Sequence, residues 1–383
     1  MGRGENKVRG LLRAFAIFGA VIAFAIVVAA CGSSGSSSSS SGSTEASSEE
    51  PASGGAENAS SEEGGKATID LGTTELEVEK KVPKIGFFAF GLSAYELSYK
   101  AQIEQMNKEG SDVTWVEAKY EPQLQLKQLQ TALTTHEFDA WIIEAVDAEG
   151  VCNIVSKEAP EAGIPVGIIV SPTCGKAQEP WGEGIWAPGT LNMVSDTANV
   201  TWFTHVFESM KKTLGITPET KVGALVGEHI SAQTLAVEAG LEAAGIETVE
   251  TAETDYTAPV GQAKAQAMLS RNPDIEVIIN GYEGITPGVI AALKEAGKKP
   301  GEVKLADIGG SSEITVPNVE AGWLQASAVY DPKTIAKTAI EQMELAFQGE
   351  QGPRVLPADP PGASLENPLI VTEEDVKTFE PTY

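Results

Sequence analysis

The chain has 383 residues, 42% hydrophobic and 21% charged, with a formal net charge of -27 at pH 7. That length and apolar share can fill more than one packed core. An acidic balance with no basic stripe excludes a nucleic-acid binder, which needs clustered Lys and Arg to displace counterions from phosphates, and reads instead as solubility outside the cell.

Taken from the start, residues 1–13 carry Arg3, Lys7, Arg9 and Arg13 against a single Glu5, and Ala14 to Ala30 is free of charge. A basic segment followed by an apolar stretch too short for a comfortable bilayer span is the pattern of a secretory signal over residues 1–30. The stretch ends Val28-Ala29-Ala30-Cys31-Gly32, which resembles the lipobox of bacterial lipoproteins. The resemblance implies cleavage before Cys31, lipid on its sulfur and anchoring to the extracytoplasmic face of the bacterial cell membrane, where two or more acyl chains hold stably. An uncleaved transmembrane anchor is the alternative; both place the body outside the cytoplasm. Loss of residues 1–30 removes four basic residues and one acidic, taking the charge from -27 to about -30.

Residues 31–77 are assigned to a lipidated linker, because 32–66 are almost wholly Ser, Gly, Ala and Glu, a composition that cannot build a core. With Cys31 consumed, Cys152 and Cys174 are an even pair in an oxidising space, open to a disulfide or to two buried thiols.

Beyond Val82 short apolar runs alternate with amphipathic ones. Strands are predicted at Lys84–Phe90, Val113–Ala118, Ala140–Ile143, Pro165–Val170 and Leu191–Val194, with helices at Ala94–Lys108, Gln123–Thr135 and Gly150–Ala162 between them. The series then restarts. Helices at Val200–Leu214, Ala232–Ala244, Val260–Ser270 and Pro287–Ala296 alternate with strands at Lys221–Val226, Thr248–Thr251, Glu276–Asn280, Val303–Ile308 and Leu324–Tyr330. Strict alternation argues for parallel sheets covered on both faces, and two such series for an α/β protein of two doubly wound lobes.

Ligands of such sheets bind beyond the carboxyl ends of strands. The loops selected by that rule contain Ser93 and Tyr95, Glu144 and Asp147, Glu228, Tyr256, Asn280 and Tyr282, and Tyr330. Ser93 and Glu96 have capping-box spacing, so Ser93 is a helix cap or a ligand contact. Asp147 is equally a cap or an acceptor for ligand hydroxyls. Tyr95, Trp181, Trp186, Tyr256, Tyr282 and Tyr330 offer rings that stack on a sugar or planar ligand, although any single ring in a loop is more often packing.

No motif supplies chemistry of the chain's own. Gly91-Leu92-Ser93-Ala94-Tyr95 lacks the final glycine of a nucleophile elbow, and Gly182-Glu183-Gly184-Ile185-Trp186-Ala187 lacks the last glycine of a dinucleotide fingerprint. His136, His205 and His229 stand alone, without metal-ligand spacing. The expectation is a binding protein with no metal, no cofactor and no catalytic residue.

From about Val82 to Val376 the chain resembles the type I periplasmic binding proteins, closest to the ribose- and galactose-binding group that shares its fold with LacI-type regulators. The resemblance is carried by Asp139-Ala140-Trp141-Ile142-Ile143-Glu144-Ala145-Val146-Asp147, Ala162-Gly163-Ile164-Pro165-Val166, Val194-Ser195-Asp196, Asp255-Tyr256, Asn272-Pro273-Asp274-Ile275, Asn280 and Ala292-Leu293-Lys294-Glu295-Ala296-Gly297. It implies lobes at 78–196 plus 331–355 and 197–330 plus 356–383. Three crossovers near Ser195–Thr197, Tyr330–Pro332 and Gly352–Pro361 form the hinge. It further implies a monomer that closes on a small molecule and delivers it to the permease and ATPase of a sugar-class ABC importer, with a surface sensor as the alternative.

Residue by residue the family's ligand set is thinned. Tyr95, Tyr256 and Asn280 match its positions. Gly281 stands for an Asp, Leu235 for an Arg, Gly309 for a second Asp and Tyr330 for a Gln. Sites built for hydroxyls punish missing partners, so the implied ligand is a sugar or a related, more aromatic compound.

Overall fold

The computed structural model describes residues 65–195, 199–229 and 231–383. The signal segment, Cys31 and the linker up to residue 64 lie outside them. No helix among the described residues is long and apolar enough to cross a membrane.

The first described element corrects the linker boundary. β1 (Lys66–Asp70) and β2 (Glu75–Glu79) form an antiparallel hairpin that begins inside the span 31–77 and ends just beyond it. Its signal is an alternation of apolar and charged residues, and Ile69 and Leu71 are fully buried. The hairpin packs on α9 (Pro332–Gln348). Arg354 clamps it, pairing with Asp70 at 2.7 Å while its guanidinium lies 4.6 Å from the Trp186 ring centre.

Two six-stranded sheets follow. The first contains β3 (Lys84–Ala89), β4 (Asp112–Glu117), β5 (Ala140–Ile143), β6 (Val166–Ile169), β7 (Met193–Val194) and β13 (Val355–Leu356), in the order β13-β7-β6-β5-β3-β4, with every pair parallel. Consecutive residues of β3 serve opposite faces, as a strand requires. Phe87 stacks on Trp115 and tilts against Tyr99 of α1 (Ala94–Glu109), while Phe88 meets Phe138 and Trp141 on the other side. α1 and α9 cover the first face, and α2 (Pro122–Thr135) lies over the second.

The second sheet contains β8 (Val222–Val226), β9 (Thr248–Glu253), β10 (Val277–Asn280), β11 (Lys304–Gly309), β12 (Ala326–Val329) and β14 (Ile370–Val371), in the order β14-β12-β11-β10-β8-β9. Only the edge strand β14 runs antiparallel. α4 (Val200–Leu214) pairs with α5 (Ala232–Ala243), and α6 (Ala258–Arg271) with α7 (Thr286–Glu295). The fold is therefore the expected pair of doubly wound lobes. The chain passes between them after β7, after β12 and between β13 and β14.

Beyond the hairpin and the short edge strands β13 and β14, three elements differ from the periodicity. The predicted helix Gly150–Ala162 is a π-turn at Ile154–Glu158 running into the single turn α3 (Ala159–Glu161), with Pro160 inside it. Proline removes a backbone donor there. The periodicity assigns nothing to α8 (Thr315–Glu320) or to α9. The latter buries Ile335, Ala336, Ala339, Ile340 and Met343, a helical spacing placed after the last predicted strand.

Cys152 and Cys174 are bridged, Cα atoms 5.0 Å apart across a sequence separation of 22. The bridge ties the loop after β5 to the loop after β6. Replacing both by serine should lower the unfolding free energy by about 3 kcal/mol, the chain-entropy value for a loop of this length. Thermal melts of the double variant would read this, and a midpoint within about a degree of the parent would show the bridge to be dispensable.

Candidate functional site

Each sheet reverses its strand order between two central strands, β3 and β5 in the first lobe and β8 and β10 in the second. Loops leaving such a switch point diverge and open a crevice. A cleft of about 370 Å³ lies there, walled by the loops after β3, β5 and β6 on one side and after β8, β9, β10 and β11 on the other. That volume is in the range of small-molecule sites, about 300–1,000 Å³.

Ser93 heads α1 in a reciprocal capping box: its side chain accepts the Tyr95 N–H at 3.2 Å, and its own N–H donates to Glu96 at 2.7 Å. The same hydroxyl lies 3.0 Å from the Tyr282 hydroxyl, so one side chain is both cap and bridge between lobes. Tyr282 follows β10 and meets Tyr256 edge-on, centroids 5.9 Å apart. Tyr256 holds a left-handed backbone at φ 63°, and its hydroxyl is bound by Thr234 at 3.0 Å and Ser231 at 3.3 Å. Its ring covers Gly227, where a Cβ would stand 1.9 Å from the ring. Only glycine lets the ring lie flat on that turn.

Tyr330 sits at the second crossover. Its ring stacks on Trp202 with centroids 5.4 Å apart, takes the edge of Tyr95 at 5.6 Å, and its hydroxyl accepts Gln233 Nε2 at 3.0 Å. Tyr120, absent from the predicted set, closes the rim: its hydroxyl accepts the Leu92 N–H at 3.2 Å and its ring covers Gly91.

Six predicted residues therefore converge on the cleft: Ser93, Tyr95, Glu144, Tyr256, Tyr282 and Tyr330. Three do not. Asp147 accepts the N–H groups of Glu149 at 3.2 Å and Gly150 at 2.9 Å, the capping role, and lies outside the lining. Glu228 is exposed beyond it. Asn280 is fully buried beneath it, donating to Thr286 Oγ1 at 3.1 Å, which donates to Asp307 at 2.6 Å. Trp181 and Trp186 are also outside the lining.

Glu96, Gln233 and Glu283 also line the walls. A side chain on Gly309 would meet the Glu283 carboxylate at 2.3 Å. A carboxyl from the neighbouring loop thus fills the space above Gly309, the position where the family resemblance places an Asp. It is held by Ser311 Oγ at 2.8 Å and Thr315 Oγ1 at 2.9 Å. Burial raises Glu96, Glu144 and Glu283 above the ordinary carboxylate range, Glu144 strongly. None of the lining residues is Lys, Arg or His.

Residues 87–351 match the family model of the periplasmic binding protein domain, well over half of the chain. The chain belongs to the periplasmic binding protein family. This family is extracytoplasmic and is one of binding proteins, not enzymes. A D-allose-binding periplasmic protein of Escherichia coli (strain K12) is 30% identical over 156 residues, covering 40% of this chain and 48% of that protein, so the match spans about half its length. Two solved structures share the fold. An ABC transporter solute-binding protein of Burkholderia graminis C4D1M in complex with D-arabinose aligns at TM-score 0.66 and 18% identity, over 79% of this chain and 99% of that one. One from Bacillus halodurans C-125 with bound myo-inositol aligns at TM-score 0.65 and 19% identity, over 80% and 99%.

Proposed function

We propose that this periplasmic binding protein captures a sugar, polyol or related ring compound in the cleft between its lobes and delivers it to the permease and ATPase of an ABC importer. The observation that carries the reading is the cleft itself, which opens at the switch points of both sheets and is bridged by Ser93 and Tyr282. Tyrosine rings and buried acceptors in one crevice suit a ring with an apolar face and polar edges. The bound D-arabinose and myo-inositol of the two structural relatives are ligands of that kind.

The lobes are assigned as 78–196 with 331–355 and 197–330 with 356–383, the hairpin of β1 and β2 joining the first. Lipidation of Cys31 would tether the protein, as a monomer, to the outer face of the cell membrane within reach of its permease. Closure would favour the liganded form by burying the ligand between the lobes.

The test is a thermal-shift screen of the purified protein against pentoses, hexoses, inositols, nucleosides and small aromatic acids. A ligand at a hundred times its dissociation constant adds about 2.7 kcal/mol, several degrees in the midpoint. Against the hit, Tyr256→Ala should weaken binding by roughly 30-fold, the 2 kcal/mol of a well-packed aromatic contact, with the fold intact by circular dichroism. A hit whose affinity is untouched by Tyr256→Ala would place the ligand elsewhere.

A further inference from the structure

Residues 372–383 follow β14 and take no part in either sheet. They begin with helical turns: the Thr372 carbonyl accepts the Val376 N–H at 3.0 Å, and that of Asp375 accepts the Phe379 N–H at 3.0 Å. The spacing of Val376 and Phe379 puts both on one face, packed on the core of the second sheet. Pro381 follows, and the residue before a proline is driven to extended backbone. The chain then runs on to Thr382 and Tyr383.

Those two residues brace the cleft from behind. The Tyr383 ring meets the Tyr95 ring edge-on, centroids 5.6 Å apart, and its backbone oxygen accepts the Ser312 N–H at 2.7 Å. Its hydroxyl is buried beside the Glu283 carboxyl, which Ser311 holds from the same loop as Ser312. Thr382 Oγ1 donates to the Tyr330 carbonyl. Tyr95, Glu283 and Tyr330 all line the cleft, and Tyr383 does not.

Tyr95 is the ring with most to lose. Tyr99 stands 5.1 Å from it on the same helix, and Tyr330 stands 5.6 Å away at a crossover. Tyr383 reaches it from the far end of the second lobe's segment, on a residue anchored to Ser312. Aromatic edges hold a ring in one orientation as well as in place.

We propose that Tyr383 is a positioning residue of the ligand cleft, its ring fixing Tyr95 in the wall of the first lobe against the Glu283 and Ser312 wall of the second. It is a junction between the lobes in addition to the crossovers. Its effect on binding rests on the reading of the cleft as the ligand site; the junction itself does not. Because the ring makes the contact with Tyr95, phenylalanine can replace it and alanine cannot.

The experiment is amide hydrogen exchange, read by mass spectrometry, on the whole protein as parent, Tyr383→Ala and Tyr383→Phe. The same samples are titrated calorimetrically with D-arabinose and myo-inositol. Loss of the ring should speed exchange by about tenfold in residues 95–99 of the first lobe as well as in 311–315 of the second, and leave 122–135 unchanged. Tyr383→Phe should restore the parental rate at 95–99. A probe that binds the parent should bind Tyr383→Ala about tenfold more weakly and Tyr383→Phe within about twofold of the parent. Should Tyr383→Ala fail to fold, Tyr383→Leu, which fills the space without an aromatic edge, takes its place. A segment that merely packs on its own lobe would change exchange at 311–315 alone. That result, equal rates for the Ala and Phe variants at 95–99, or parental affinity in Tyr383→Ala would overturn the proposal. If neither probe binds the parent, exchange at 95–99 still decides the junction, and only the reading of the cleft is called into question.

Discussion

Trp202→Ala is expected to lower the unfolding free energy by about 3–5 kcal/mol, the cost of emptying a large core site. Trp202 is 1% exposed, in the first turn of α4, where the Asn199 side chain caps its backbone N–H at 3.0 Å. Its ring stacks on Tyr330 and takes the edge of Phe203, centroids 5.4 Å and 5.1 Å away. The residue stands just after the first crossover and Tyr330 at the second, so the two rings join both hinge segments in one packed unit. Truncation therefore removes more than volume. Tyr330 loses the face that holds it against Tyr95, and a cleft wall loosens with it. Urea unfolding followed by circular dichroism would measure the loss. A drop below about 1 kcal/mol would mean that Tyr330 collapses into the space and that the paired rings do not hold the hinge segments together.

The second large effect is on pH dependence. Asp307 on β11 is fully buried, and desolvation, then the nearby Glu283 charge, lifts its pKa from 3.8 to about 7. Thr286 Oγ1 donates to it at 2.6 Å, too little to offset burial. The folded state therefore keeps a proton that the unfolded chain releases above pH 3.8. Stability contributed by this group is fully present below that pH and is lost as pH rises toward about 7. At about 1.4 kcal/mol for each pH unit of that window, the loss has an upper bound of roughly 4 kcal/mol.

Asp307→Asn removes the ionisation and keeps an oxygen for Thr286. At about pH 8 the variant should exceed the parent in stability by up to about 4 kcal/mol, and near pH 4 the two should converge. Glu144 and Glu283 titrate in the same direction, so the parent's own profile is a composite. The difference between parent and variant isolates Asp307, and a difference that stays flat from about pH 4 to 8 would refute its neutral burial.

Much of the fold is legible in the chain because strands buried on both faces read as unbroken apolar runs. Val277-Ile278-Ile279 and Ala140-Trp141-Ile142-Ile143 fit the middle of a parallel sheet, and both lie there fully buried. Ser93 with Glu96 marks the start of α1 to the residue, since a capping box is a local pattern with local partners. The β1–β2 hairpin is hidden because its strands are short, half charged and next to a low-complexity segment. Their burial depends on α9, far along the chain, and on Arg354.

The candidate site is legible loop by loop but not side chain by side chain. Apolar runs and their breaks settle which loops end strands, and hence that Ser93, Tyr95, Tyr256, Tyr282 and Tyr330 are near the carboxyl edges. Nothing local tells that Asp147 turns back to cap its own loop while Glu144, on the same loop, lines the cleft. Nor does any pattern announce that Tyr120 folds over Gly91 or that Glu283 fills the space above Gly309. These outcomes arise only in the packed molecule, because a loop residue's direction follows from strand register and from what packs against the loop. Those contacts join residues far apart in the chain, and no local pattern of apolar, polar or capping residues encodes them.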